Sequence, residues 1–201
     1  MFHEVGFYIA LIVAVPMIAT AEAGVTRTVA TVFAACVVGC FGASALYHRP
    51  TWRPALRSWL ARLDHAGVYL LIAGTYTPVA VLVMSRGWRV PVLAVVWSGA
   101  VAAILEALLG AGRKAARRCD RVALGWVGMV AFGQFLKLPL AGILLLVVGG
   151  LLYSLGATIY ARKRPDPIPH VFGYHELFHA LTLGAAACHY TAIAFFVLPR
   201  G

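Results

Sequence analysis

Seven apolar stretches, each close to the length that crosses a bilayer, leave this chain few ways to fold. They run near Val5–Ala21, Thr28–Tyr47, Ala66–Ser85, Val90–Leu109, Val122–Leu136, Leu138–Tyr160 and Tyr174–Leu198. A segment in hydrocarbon must satisfy its own backbone hydrogen bonds, which a helix does within itself. The pattern therefore predicts an all-α polytopic membrane protein, a bundle of seven transmembrane helices forming one domain over residues 1–201. Of 201 residues, 62% are hydrophobic and 12% charged, far more apolar surface than a water-soluble core needs. The fifth stretch is short and carries Gln134, so it is the weakest of the seven.

A formal charge of +10 would suit a nucleic-acid binder, but its placement argues against that partner. Twelve of the 17 Lys and Arg fall in three alternate loops: Arg49, Arg53, Arg57 and Arg62; Arg113, Lys114, Arg117, Arg118 and Arg121; and Arg162, Lys163 and Arg164. The positive-inside bias puts these loops and the N-terminus in the cytoplasm and the C-terminus outside, as expected for a multi-pass protein of the inner (plasma) membrane. Contact with anionic headgroups is the plain role for such charges. Cys36, Cys40 and Cys188 lie within apolar stretches and read as small packing residues; Cys119 falls in a basic loop. Ala19-Thr20-Ala21 resembles a signal cleavage site, but no Lys or Arg precedes it, so a retained first helix is expected.

Polar residues inside the stretches need partners, because an unpaired ionisable group in lipid is expensive. Cys36, Cys40, Ser44 and His48 recur every fourth residue along the second stretch, and His175 and His179 repeat that step at the start of the seventh. Residues four apart share a helix face, about 6 Å apart along the axis. The charge bias places His48, Asp64 and the His175–His179 pair at one depth, near the inner leaflet. Ser44 lies one turn deeper than His48 on the same face, and Thr75 lies about three turns from Asp64 on one stripe. Three neutral imidazoles with one open position describe a catalytic zinc site. Asp64 could ligate directly, or hold a water beside the ion and serve as general base.

Plainer readings stand beside these. A lone histidine at a helix end is more often an interfacial or packing residue than a ligand. His65 is turned about 100° from Asp64 and is expected to face headgroups or a neighbouring helix. His189 sits about 15 Å beyond His179 along the helix and should make a separate buried hydrogen bond. Glu106 is expected to pair with a loop arginine and His170 to be solvated, while Pro78 should kink the third helix and free a carbonyl. His175-Glu176-Leu177-Phe178-His179 spells HExxH, which would make Glu176 the base of an intramembrane protease. Asp64 already supplies a carboxylate from another helix, and the third histidine lies upstream, so that reading ranks below the others.

The same residues carry a resemblance. Ser44-Ala-Leu-Tyr-His48, Leu63-Asp64-His65 through Thr75-Tyr-Thr-Pro78, Gly149-Gly-Leu-Leu-Tyr153-Ser-Leu-Gly156 and Gly173-Tyr-His175-Glu-Leu-Phe-His179, with His189 beyond and His3-Glu-Val-Gly6 near the start, resemble the hemolysin III family. That family lies within the PAQR group (progestin and adipoQ receptors). The likeness implies a seven-helix bundle with a cytoplasmic N-terminus. By comparison with adiponectin receptors it implies zinc on His48, His175 and His179, with Asp64 acting through water and Ser44 close by. Related alkaline ceramidases hydrolyse a lipid amide with that arrangement, and the position of Glu176 is not a ligand in them. Three imidazoles and a carboxylate would also accept iron or manganese; the likeness favours zinc.

Four functions compete. The first is a zinc-dependent hydrolase of a lipid-like amide or ester, with Asp64 as base and Ser44 as donor to the oxyanion. The second is a non-enzymatic membrane sensor or homeostasis protein with structural zinc. A cytolysin or pore is third, set back because the ionisable groups gather at one end of the polar stripe. The HExxH protease is last. The bilayer is the expected partner and a lipid-like molecule the expected substrate.

Overall fold

A computed structural model describes residues 2–49, 51–109, 122–168 and 172–201. The basic loop with Arg113, Lys114, Arg117, Arg118, Cys119 and Arg121 lies outside the described residues, as does His170. The helices are α1 (Phe2–Thr20), α2 (Val25–Tyr47), α3 (Pro54–Leu82), α4 (Arg86–Leu109), the interrupted α5 (Val122–Phe135), α6 (Leu140–Arg162) and α7 (Tyr174–Ala192). α7 continues through a π turn, Ile193–Val197, into a final 3-10 turn. Five helices, α2, α3, α4, α6 and α7 with its extension, are long and apolar enough to cross a membrane; α1 and α5 are shorter apolar helices. The protein is all-α and polytopic, as its apolar pattern predicts.

The main core joins residues from most of the helices. Met17 of α1, Phe33 of α2, Tyr69 and Val83 of α3, Val96 of α4 and Ile193 and Val197 beyond α7 form one buried cluster. Met17 and Val83 are late in their helices and Phe33 is in the first half of α2, while Tyr69 and Val96 lie near the middles of α3 and α4. Gly24 makes the α1–α2 turn at φ 100°, a region where a Cβ would be strained. Pro16 interrupts the α1 ladder, and the Tyr190 hydroxyl donates to the Val13 carbonyl there at 3.0 Å.

Small residues set the α2–α3 spacing. A Cβ at Gly67 would stand 3.1 Å from the Cys40 Cα, and one at Gly74 would collide with the Cys36 side chain. Cys36 and Cys40 are buried free thiols at this seam. Close helix approach through small residues is how apolar helices gain dispersion contact where lipid removes the usual hydrophobic drive. The antiparallel register pairs 36 with 74 and 40 with 67, and further along the same two helices lie Ser44 and Asp64.

Two elements depart from expectation. α3 begins at Pro54, not near Ala66, so Arg57 and Arg62 lie on a helix rather than in a loop, and Asp64 sits well inside it. Proline suits the first helical turn, and Leu56, Trp59, Leu60 and Leu63 continue the apolar face that the arginines interrupt in a hydropathy count. Arg62 donates to the Leu108 carbonyl at 2.9 Å; Glu106 is exposed, and the arginines of the loop after α4, with which it is expected to pair, lie outside the described residues. α5 is broken by a 3-10 stretch, Val127–Ala131, between Gly125 and Gly133. Tyr76 spans the break, its hydroxyl donating to the Gly125 carbonyl at 2.7 Å and accepting from the Gly128 N–H at 2.8 Å. Gln134, the residue that weakened this stretch, accepts from Ser85 N–H and from Lys137, which also reaches the Val83 carbonyl. α3 runs on through Pro78, with Thr77 donating to the Ala73 carbonyl and accepting from Trp97.

Candidate metal centre

His48 stands immediately after α2, its backbone N–H donating to the Ser44 carbonyl at 3.1 Å. α7 then delivers two imidazoles to the same place. Their start is fixed by carboxylates: Glu176 Oε2 accepts from the Gly173 N–H and Asp166 Oδ1 from the Tyr174 N–H, each at 3.0 Å. Reciprocal backbone bonds between Ile168 and Phe172 close the preceding loop and bring Asp166 up to the helix end. Acidic groups are favourable there because the first N–H groups of a helix lack intrahelical partners.

The His48 ring centroid lies 5.1 Å from that of His175 and 5.4 Å from that of His179, and the latter two are 4.5 Å apart. His175 Nε2 and His179 Nε2 approach to 3.0 Å. One ring nitrogen from each of the three lies within 4.8 Å of the others, a spacing that one metal ion can span. Burial pulls the His48 pKa below its ordinary value, opposed by the nearby Asp64 carboxylate, so the ring favours the neutral form that carries a free lone pair. Tyr160 backs the pair, its ring 5.7 Å from His175.

A cavity of about 170 Å³ opens beside the imidazoles. Ser44, Asp64, Thr75, His175 and His179 line it together, so α2, α3 and α7 meet there as their spacing predicts. Ser44 is buried and Asp64 half-buried. His65 departs from expectation: it lines the cavity too, with Nδ1 2.6 Å from the Ala61 carbonyl. A 100° step along the helix still reaches a cavity this wide. His189 stands apart from the triad, Nε2 3.2 Å from the Leu146 carbonyl. Sequence reasoning missed the Trp126–Ser154 hydrogen bond (2.9 Å) and Tyr160 in the cavity wall, and Asp166 at the start of α7. Asp166 alone carried a local signal, an acid shortly before a helix start.

Glu176 is engaged with the helix end rather than the imidazoles. Glu176→Gln, which keeps an acceptor for the Gly173 N–H, is therefore expected to leave metal content and any turnover within about twofold. A base of the HExxH kind would instead lose about 10²–10⁴-fold. Turnover beside metal analysis of the purified variant separates the two.

Apolar helices with imidazoles gathered at one end of the bundle define a polytopic membrane protein with a candidate metal centre. The chain matches the family described as Haemolysin-III related over residues 1–190, and it belongs to that family, within the PAQR group. It is 33% identical over 151 residues to Hemolysin-3 of Bacillus cereus, covering 73% of this chain and 65% of that protein. It is 29% identical over 168 residues to a Hemolysin-3 homolog of Bacillus subtilis (strain 168), covering 83% and 76%. Similarity to the adiponectin receptor protein of Drosophila melanogaster is 29% over 185 residues, covering 81% of this chain and 42% of the receptor. The match thus spans just under two thirds of the Bacillus cereus relative.

Proposed function

We propose that this protein is a zinc-dependent hydrolase of a lipid-like amide or ester, held in the inner (plasma) membrane as one seven-helix domain with its N-terminus in the cytoplasm. The observation that carries this is the meeting of His48 with His175 and His179 beside a largely apolar cavity that also holds Asp64 and Ser44. The donor set suits the ion: three imidazoles gathered about one centre.

Zinc bound there would polarise a substrate carbonyl and make a neighbouring water more acidic. His48, His175 and His179 would hold the ion through one ring nitrogen each. Asp64 would take the proton on its carboxylate. Ser44, across the α2–α3 seam, would donate its hydroxyl hydrogen to the developing oxyanion. The apolar wall, with Val68, Leu71, Phe178 and Leu183, would take an acyl chain and exclude water.

A structural zinc joining α2 to α7 in a membrane sensor is the competing reading; the adjoining cavity favours catalysis. A lytic role, which the Bacillus relatives carry in their names, has against it the gathering of ionisable groups at one end.

Metal content per chain of detergent-purified protein tests the proposal. About one zinc in the parent and none in His175→Ala is the expected result. A folded preparation that takes up no metal when zinc is offered would refute the hydrolase.

A further inference from the structure

Most polar groups around the cavity are bonded to the protein. Thr75 donates to the Leu71 carbonyl, Thr182 to Phe178, and Ser154 to Gly150 while accepting from Trp126. Two groups depart from this pattern, and they are neighbours. The Tyr153 hydroxyl and His189 Nδ1 are enclosed and have no hydrogen-bond partner among the described residues, although their rings lie 5.5 Å apart and both residues line the cavity. Buried polar groups left unpaired are costly and rare, so a built pair of them invites a ligand. Room for the imidazole is specific: a Cβ at Gly149 would run into the His189 ring.

We propose that Tyr153 and His189 form a hydroxyl-binding subsite at the deep end of the cavity, which takes a hydroxyl group on the tail of an amphiphile. The chemistry follows from one bond. His189 Nε2 faces the Leu146 carbonyl, which can only accept, so Nε2 carries the hydrogen and Nδ1 of the neutral ring is an acceptor. The ligand group must therefore donate to Nδ1 while pairing with the Tyr153 hydroxyl. A hydroxyl does both. A carbonyl or carboxylate would set lone pair against lone pair at Nδ1, and an alkyl chain would satisfy neither. Both atoms are covered in this conformation, so the ligand enters with a turn of the Tyr153 side chain into the cavity it borders.

Position follows from α7. Ten residues separate His179 from His189, about 15 Å, which sets the hydroxyl roughly twelve carbons from a carbonyl at the triad. The inference rests on the reading that the cavity takes an acyl chain with its carbonyl near the imidazoles.

Isothermal titration of the full-length, zinc-loaded protein with tetradecanohydroxamic acid, and with its isomers hydroxylated at carbon 10, 12 or 14, tests it. One isomer is expected to bind about tenfold more tightly than the plain chain. Tyr153→Phe should abolish that preference while holding plain-chain affinity within about twofold, which also shows that the variant folds. No preferred isomer, or a preference that survives Tyr153→Phe, overturns the subsite. His175→Ala separates the two readings: it should weaken all four probes alike if the metal centre stands. If it changes none of them, the metal reading fails while the isomer preference still decides the subsite. Failure of all four to bind overturns both.

Discussion

His179→Ala is expected to strip the protein of metal and of hydrolytic turnover together. Two imidazoles and a water make a far weaker site than three, and the loss should exceed the roughly 10–100-fold that follows removal of a mere supporting contact. The bundle should remain folded, because His179 is not part of the buried cluster around Phe33, Tyr69 and Val96. Metal analysis at a buffered free-zinc concentration, read beside thermal unfolding, checks both halves. Full zinc occupancy in a folded variant would remove His179 from the ligand set.

Asp64→Asn separates base from ligand. The amide has nearly the carboxylate's shape and can still hydrogen-bond, but it cannot take a proton at neutral pH. Turnover is expected to fall about 10²–10⁴-fold with zinc content unchanged. Removing the carboxylate also removes the charge that favours protonated His48, so His48 keeps its neutral, ligating form. Zinc loss in this variant would instead make Asp64 a direct ligand, closing the fourth position and favouring the structural reading. Zinc retained with full activity would refute the base assignment.

The convergence was legible because helix geometry and charge bias act independently on the same residues. Four-residue steps fixed which groups share a face on α2 and α7, and the basic loops fixed which ends lie together. The start of α3 was not legible from hydropathy: Arg57 and Arg62 lower the local average although the apolar residues between them keep helical spacing. The role of Glu176 was half legible. HExxH spacing describes a metal site and a helix start equally well, and only the 3.0 Å bond to the Gly173 N–H distinguishes them. His65 was misplaced because a helix wheel gives a direction but not the width of the space it faces. The break in α5 had its signal in Gly125, Gly128 and Gly133, but Tyr76, which makes the break tolerable, is 49 residues from Gly125.

The thin seam between α2 and α3 acts as a gauge block. Gly67 and Gly74 set how far apart two backbones stand, and the same two helices carry Ser44 and Asp64 into the wall of one cavity. On the proposed reading, one added methyl group at position 74, about 15 Å from Asp64 along the helix, would shift the two groups that are to act on the substrate. The tolerance of the proposed chemistry would thus be written into two residues that take no part in it.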